Sequence, residues 1–325
     1  MLTADGYVVG IEIGARGCRV GLADLQGKLI DQQQSPLPPA APDATIAEIG
    51  HLFETCLAQS GLSREKLVRA GCGFTGPVDA TRGVVLSSPR LAGWENVPLG
   101  SLLEERLDLP TLVDNDARVA ALGEARFGAG RGEQHLAYVH LGVGLGGGLV
   151  LDGRLYRGAT ATAGEIGHLL VNEDGPLCSC GKPGHLEAYA SGSAIVQRAL
   201  ELAQQRGPGG ALLGRVAAGE SPTPVLVFEA ARDGDAAALQ VTTDAVRYLA
   251  IAIANLVTTV NPAVIVVGGR VAEAGPLLFE PLHARVRRYA MAVPARAVRI
   301  VPATLRSDGI LIGAIALAVQ SLDWS

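Results

Sequence analysis

Residues 136–155 read LAYVHLGVGLGGGLVLDGRL. Leu136–Leu141 is an apolar run of the length of one buried strand, and Gly142–Gly148 is the most glycine-dense turn in the chain. Leu149–Leu151 reads as a return strand, and Asp152-Gly153 is a strong hairpin signal before Arg154-Leu155. Residues 7–29, YVVGIEIGARGCRVGLADLQGKL, run the same way. Tyr7–Ile13 is apolar and ends in Gly14, Cys18–Asp24 alternates, and Gln26-Gly27 turns the chain into Lys28–Gln32. One strand–glycine turn–strand–turn–strand unit in each half is an internal repeat, and it predicts two α/β lobes built on the same plan.

Outward from these units the pattern alternates helix and strand. After the Pro-rich loop Pro36–Pro42, Asp43 is a candidate cap for a helix carrying Ile46, Ile49, Leu52, Phe53, Cys56 and Leu57, and Gly61 ends it. Strands are expected at Leu67–Cys72, Val84–Leu86 and Thr111–Val113, with helices at Leu99–Leu107 and Asp116–Phe127. Beyond the second unit, helices are expected at Ser193–Gln205, near Pro224–Ala231, at Ala236–Val260, around Pro276–Tyr289 and at Asp308–Ser321. Strands are expected at Val264–Val267 and Val298–Pro302. No stretch is polar and long enough to act as a linker between independent modules.

Composition bounds the function. Hydrophobic residues are 48% and charged residues 18% of 325, which excludes a largely disordered chain. The 42 glycines show no three-residue period and point to tight turns and close backbone approaches. A net charge of −5 argues against a general nucleic-acid grip, which needs a basic face. The N-terminus lacks a basic n-region and predicts no signal peptide. Leu249–Gly268, the most apolar stretch, is interrupted by Asn255, Asn261 and Pro262; it reads as a buried helix followed by a buried strand, so no membrane partner is expected. Five cysteines with one close pair, Cys178 and Cys180, suit a reducing cytoplasm and a metal site better than a disulfide framework.

Three places could carry chemistry. The Gly142–Gly148 turn can present backbone N–H groups to a phosphate, or it is simply a tight hairpin; it is no Walker loop, because no Lys-Ser/Thr follows. Asn115-Asp116, between a strand and a helix, reads as a helix cap with an acid in the first turn, or as a general base with Asn orienting a substrate hydroxyl. Gly164–Glu187 holds His168, Cys178, Cys180 and His185, a chemically sensible tetrahedral zinc set, or two incidental loop cysteines. Glu165 and Glu187 flank these ligands and are acceptors suited to a polyhydroxy substrate.

The order of these motifs resembles the ROK family (repressors, uncharacterised proteins and sugar kinases) of the actin-like ATPase superfamily. The resemblance runs through Ile11–Gly14, Gly76-Pro77-Val78-Asp79, Gly93-Trp94, Val113–Ala117, Leu122-Gly123-Glu124, Gly142–Gly153, Gly164–His168, Cys178–Gly181, Gly184–Ser191 and Val267-Gly268-Gly269. It implies a two-lobed α/β fold of the ribonuclease H-like, actin-like class, with a hexose and Mg-ATP meeting in the cleft. The lobes would be residues 1–115, with the helix 305–325 packing back on them, and residues 116–304, carrying a zinc-binding loop. Asp116 would be the catalytic base, and Asn115, Glu165, His168 and Glu187 would bind the sugar. Glu12, Gly14, Ala15, Arg16, Gly144, Gly146, Gly268 and Gly269 would lie along ATP. His168, Cys178, Cys180 and His185 would hold a structural Zn2+.

The chain departs from the family pattern in four places. Glu12-Ile13-Gly14-Ala15-Arg16 replaces Asp-x-Gly-Gly-Thr, and Val143 stands where kinases commonly carry Thr or Ser. His185 replaces the third zinc Cys, and Arg90 stands near a position where many sugar-binding members have Asn. The sugar and zinc halves are therefore better preserved than the ATP half. The expectation is an ATP-dependent hexose kinase, with a sugar-binding sensor of weak or no turnover as the alternative. DNA repression is disfavoured, because six residues precede the first strand and the charge is negative. A cytoplasmic homo-oligomer, dimer or tetramer, completes the reading.

Overall fold

The computed structural model describes residues 6–14, 17–35, 41–88, 91–207 and 210–322. Ala15, Arg16 and Arg90 lie outside the described residues. The chain opens with β1 (Tyr7–Gly14), β2 (Gly17–Asp24), β3 (Leu29–Ser35) and α1 (Pro42–Ser60). It continues through β4 (Leu67–Phe74), β5 (Val78–Asp79), β6 (Val84–Val85), α2 (Leu99–Leu107), β7 (Thr111–Asn115) and α3 (Asp116–Phe127). The second glycine unit supplies β8 (Leu136–Leu141), β9 (Leu145–Leu151) and β10 (Arg154–Tyr156). Helices α4 (Glu187–Ala190), α5 (Gly192–Arg206), α6 (Ala211–Ala217), α7 (Pro224–Arg232) and α8 (Ala236–Thr259) follow. The chain closes with β11 (Val264–Gly268), α9 (Pro276–Tyr289), α10 (Ala292–Ala297), β12 (Arg299–Pro302) and α11 (Gly309–Leu322).

The two five-stranded sheets share one topology. The first runs β3-β2-β1-β4-β7 and the second β10-β9-β8-β11-β12. In the first, β1 pairs antiparallel with β2 and parallel with β4; in the second, β11 lies parallel to both β8 and β12. A meander followed by parallel additions, made twice, is what the sequence repeat predicts.

Contacts divide the chain into two compact units. One is Met1–Gln134, Gly148–Gly164 and Thr304–Ser325; the other is His135–Gly147 and Glu165–Ala303. Helix α3 falls in the first unit, beyond the expected limit at residue 115, because it packs along α11. The approach is close: a Cβ on Gly123 would lie 2.9 Å from the Gly313 Cα. Glu124 adds to it, accepting from Leu305 N at 2.9 Å and from Thr304 Oγ1 at 3.2 Å. In this unit Ile11, Ile13, Phe74 and Val113 from the sheet join Ile49, Phe53 and Leu103 from α1 and α2 in one core; Ile315, Val319 and Leu122 pack from α11 and α3.

Two local readings change. Helix α1 begins at Pro42, with Ala41 as its cap residue and no side-chain cap bond, so Asp43 is a first-turn acid instead of the cap. Proline fits there because its φ is preset for the first helical position and its missing N–H is not needed. Strand β9 begins at Leu145, so Gly146–Gly148 are strand residues and the true turn is Gly142–Gly144. Gly148 is required by packing within the first unit, since a Cβ there would lie 3.1 Å from the Arg118 Cα of α3.

The second unit is organised around α8. At 24 residues this is the one helix among the described residues long and apolar enough to cross a membrane. It is packed by α5, α7 and α9, and its buried residues, among them Val246, Leu249, Ile253 and Val257, form the interior of the unit.

Candidate functional site

In the first unit the key residues stand where β7 becomes α3. Asn115 is the N-cap: its Oδ1 accepts from Ala117 N at 3.0 Å and Arg118 N at 3.2 Å, and its Nδ2 donates to the Gly76 carbonyl at 3.0 Å. The capping reading therefore holds, and it fixes the amide of Asn115 in place. Asp116 is the first helical residue, its Oδ1 accepting from Ala117 N at 2.7 Å.

Behind this turn lies a network that sequence reading misses. Asp114 is fully buried, with Arg118 Nε and Arg157 Nε each 2.7 Å from its carboxylate oxygens. Arg118 is 2% exposed and also donates to the carbonyls of Val78, at 3.0 Å, and Ala161. The i,i+4 spacing of Asp114 and Arg118 is visible in the sequence; that the pair lies inside, clamped by Arg157, is a tertiary fact. The Gly76–Asp79 segment supplies backbone partners, and Trp94 of the Gly93-Trp94 motif is buried against Phe74 with ring centroids 4.8 Å apart.

Glu12 faces Arg19 across β1 and β2, with Arg19 Nη1 3.3 Å from Glu12 Oε2. Arg19 also reaches Asp308 at 2.6 Å and Gln32 at 2.9 Å, so Glu12 shares a ring of polar partners. A Cβ on Gly14 would meet nothing closer than Glu12 Oε1 at 3.5 Å, so packing alone does not demand glycine there.

In the second unit the glycine turns are tied to their neighbours. The Gly142 carbonyl accepts from Gly192 N at 2.8 Å, and the Val143 carbonyl from Ser193 Oγ at 2.6 Å, which seats the turn on the start of α5. Val143 is 50% exposed and offers this turn no hydroxyl, and Gly146 lies in β9 instead of the turn. Gly268 is needed because a Cβ would strike the Tyr138 hydroxyl, and Gly269, at φ 86°, abuts the Leu141 carbonyl group. Tyr138 Oη and His140 Nδ1 are 3.1 Å apart on β8, a pair with no signal in the sequence beyond their i,i+2 spacing.

The Gly164–Glu187 segment gathers its expected ligands. One ligand atom from each of His168, Cys178, Cys180 and His185 lies within 4.8 Å of all the others. Cys178 Sγ is 3.6 Å from His168 Nδ1, and Cys180 Sγ is 3.2 Å from His185 Nδ1. Gly181, at φ 82°, lets the Cys178–Gly181 turn close, with Gly181 N donating to the Cys178 carbonyl at 2.9 Å. Two soft and two borderline donors converging at this spacing fit a tetrahedral Zn2+. Burial pushes the Cys178 thiol up to about 11, with the charge of Glu187 adding to the shift; a divalent cation at the cluster acts in the opposite sense.

Around the cluster, His168 Nε2 lies 4.0 Å from Glu165 Oε2, so the ring turns Nδ1 toward the cysteine and Nε2 toward the acid. Glu187 is a brace: Oε2 accepts from Leu145 N at 2.9 Å, while Oε1 accepts from Ser179 Oγ and faces Cys178 Sγ at 3.7 Å. It ties the cysteine loop to the first residue of β9.

The ROK family model matches residues 8–321. The chain belongs to the ROK family. It is 33% identical over 316 residues to the glucokinase of Thermotoga maritima, covering 97% of this chain and 98% of that protein. It matches the structure of a ROK family glucokinase from Streptomyces griseus in complex with glucose and AMPPNP with a TM-score of 0.81 and 33% identity, covering 97% of this chain and all of that one. It also matches a ROK family transcriptional regulator, a homologue of the E. coli MLC protein, with a TM-score of 0.86 and 26% identity, covering 98% of this chain and 78% of that one. The fold is thus the two-lobed actin-like ATPase fold of ROK proteins, and the twofold repeat of sheet topology is its signature in this chain.

Proposed function

We propose that this chain is an ATP-dependent hexose kinase. The observation that carries the reading is full-length likeness to ROK glucokinases together with an intact Asn115-Asp116 turn, its carboxylate at the head of α3. In the reaction, a hexose hydroxyl oxygen attacks the γ-phosphorus of ATP as the bond to ADP breaks, and the hydroxyl proton passes to the Asp116 carboxylate. The Asp114–Arg118–Arg157 cluster, with Asp114 and Arg118 buried, fixes the β7–α3 turn that carries Asp116, which is the positioning such transfer needs. Mg2+ supplies charge neutralisation on the phosphates. Glu12 is the carboxylate the first glycine turn offers it, and Arg19 shares that carboxylate.

The sugar's partners in this reading are Asn115, Glu165, His168 and Glu187. Gly14 and, in the second unit, Gly144, Gly268 and Gly269 serve the nucleotide. His168, Cys178, Cys180 and His185 would hold a structural Zn2+, which would pin the loop carrying Glu165 and Glu187. Leu170 and Leu177, 60% and 72% exposed on that loop, support a homo-oligomer by offering it an apolar face. A cytoplasmic setting agrees with thiols left free at Cys18, Cys56 and Cys72.

A second reading, a sugar-binding regulator without turnover, is favoured by the ATP half: Val143 in the phosphate turn and Glu12 engaged by Arg19. One experiment separates the two. ADP release is measured with Mg-ATP against a panel of hexoses and N-acylated hexosamines. Sugar-dependent release supports the kinase, and sugar binding without release supports the regulator.

A further inference from the structure

We propose that the groove between α9, α10 and the edge strand β12 binds a compact, multiply charged phosphate compound. Pro281–Ala303 contains five arginines and no Asp or Glu, in a chain whose net charge is −5. The fold gathers this local excess. Arg287 from α9, Arg296 from α10 and Arg299 from β12 line a cavity of about 390 Å³, with His283, Ile300 and Val301. No carboxylate is among its lining residues.

The lining is built to receive an anion. Arg287 and Arg296 are exposed and have no ion-pair partner among the described residues. Two other arginines of this unit show the contrast: Arg198 pairs with Asp244, and Arg215 with Glu220 and Glu229. His283 Nε2 lies 2.9 Å from the Ile300 carbonyl, which must accept, so the ring is fixed against the edge strand with Nε2 as the donor. Guanidinium groups converging on one cavity repel each other until an anion enters. Their planar forks match phosphate oxygens two at a time.

The size selects a small ligand. The volume lies at the lower end of the roughly 300–1,000 Å³ of small-molecule sites, enough for two or three phosphate groups. A nucleic-acid strand or a lipid surface needs a longer basic track, and the acidic remainder of the chain opposes both. The shared chemistry is a terminal phosphate on a compact, multiply charged anion, either an inorganic oligophosphate or a phosphate ester of a sugar. Nothing in this groove belongs to the proposed kinase site, so the inference stands apart from that reading.

The test is calorimetric titration of the full chain at low salt with inorganic tripolyphosphate, with glucose 6-phosphate and with inorganic phosphate. The wild type is expected to bind one of the first two at least ten times more tightly than inorganic phosphate. Tighter tripolyphosphate identifies the oligophosphate source, and tighter glucose 6-phosphate the ester. The double variant Arg287→Ala/Arg296→Ala is expected to bind at least tenfold more weakly with an unchanged thermal melt. Arg232→Ala, which removes an arginine paired to Asp233, is expected to bind as the wild type does. Equal affinity in the double variant overturns the assignment. So does a wild type that binds neither compound, or that binds only duplex nucleic acid or anionic vesicles.

Discussion

Asp116, the proposed base, is a partly buried carboxylate in a fixed position. The Asn115 cap and the first-turn N–H groups supply the position, and the buried Asp114 pair beneath them supplies rigidity. Replacing Asp116 with Asn keeps the shape and removes the base, so kcat is expected to fall by about 10²–10⁴-fold while the hexose dissociation constant moves little; steady-state kinetics and calorimetry check both. Asp114→Asn acts differently. It leaves the buried Arg118 guanidinium facing a neutral amide, and breaking such a pair costs about 3–5 kcal/mol, read as a lower denaturation midpoint. The Asn115-Asp116 turn was legible in the sequence because cap chemistry is local. The Asp114 cluster was not, since Arg157 reaches it from 43 positions away.

Among the elements, the cysteine loop and the α3–α11 pair carry the most. The four candidate metal ligands were legible from donor type and spacing, and the fold converges them. The bracing of Glu187 onto Leu145 was not, because it depends on where β9 begins. Cys178→Ser is expected to reduce bound zinc from about one per chain to near none, measured by metal analysis of protein purified without chelator. It is also expected to weaken hexose binding while the melt of the remaining core survives. The α3–α11 contact explains why the first unit extends past residue 115: small residues let the helices approach, and that pairing is visible only in three dimensions. Gly123→Ala is expected to lower stability by about 1–3 kcal/mol, the usual cost of overpacking, and a chemical denaturation curve reads it. The start of β9 was misplaced for a related reason. Three consecutive glycines read as turn, yet Gly148 is strand backbone kept bare for α3.

For the whole molecule, the repeat in residues 7–29 and 136–155 marked one strand–glycine turn–strand unit in each half, while the two-lobed architecture was legible through the resemblance to the ROK family; the order of the added parallel strands is seen only in the fold. Activity is a different matter. It depends on whether Glu12, Val143 and their surroundings still hold ATP, and the relatives include both glucokinases and a transcriptional regulator. The most direct measurement is coupled ADP release with Mg-ATP and a hexose panel, run on one preparation whose sugar binding is measured by calorimetry in parallel. The kinase account predicts that the sugar that binds also triggers ADP release, and that the release is lost in Asp116→Asn. Saturable sugar binding with no ADP release from any sugar in the panel contradicts it.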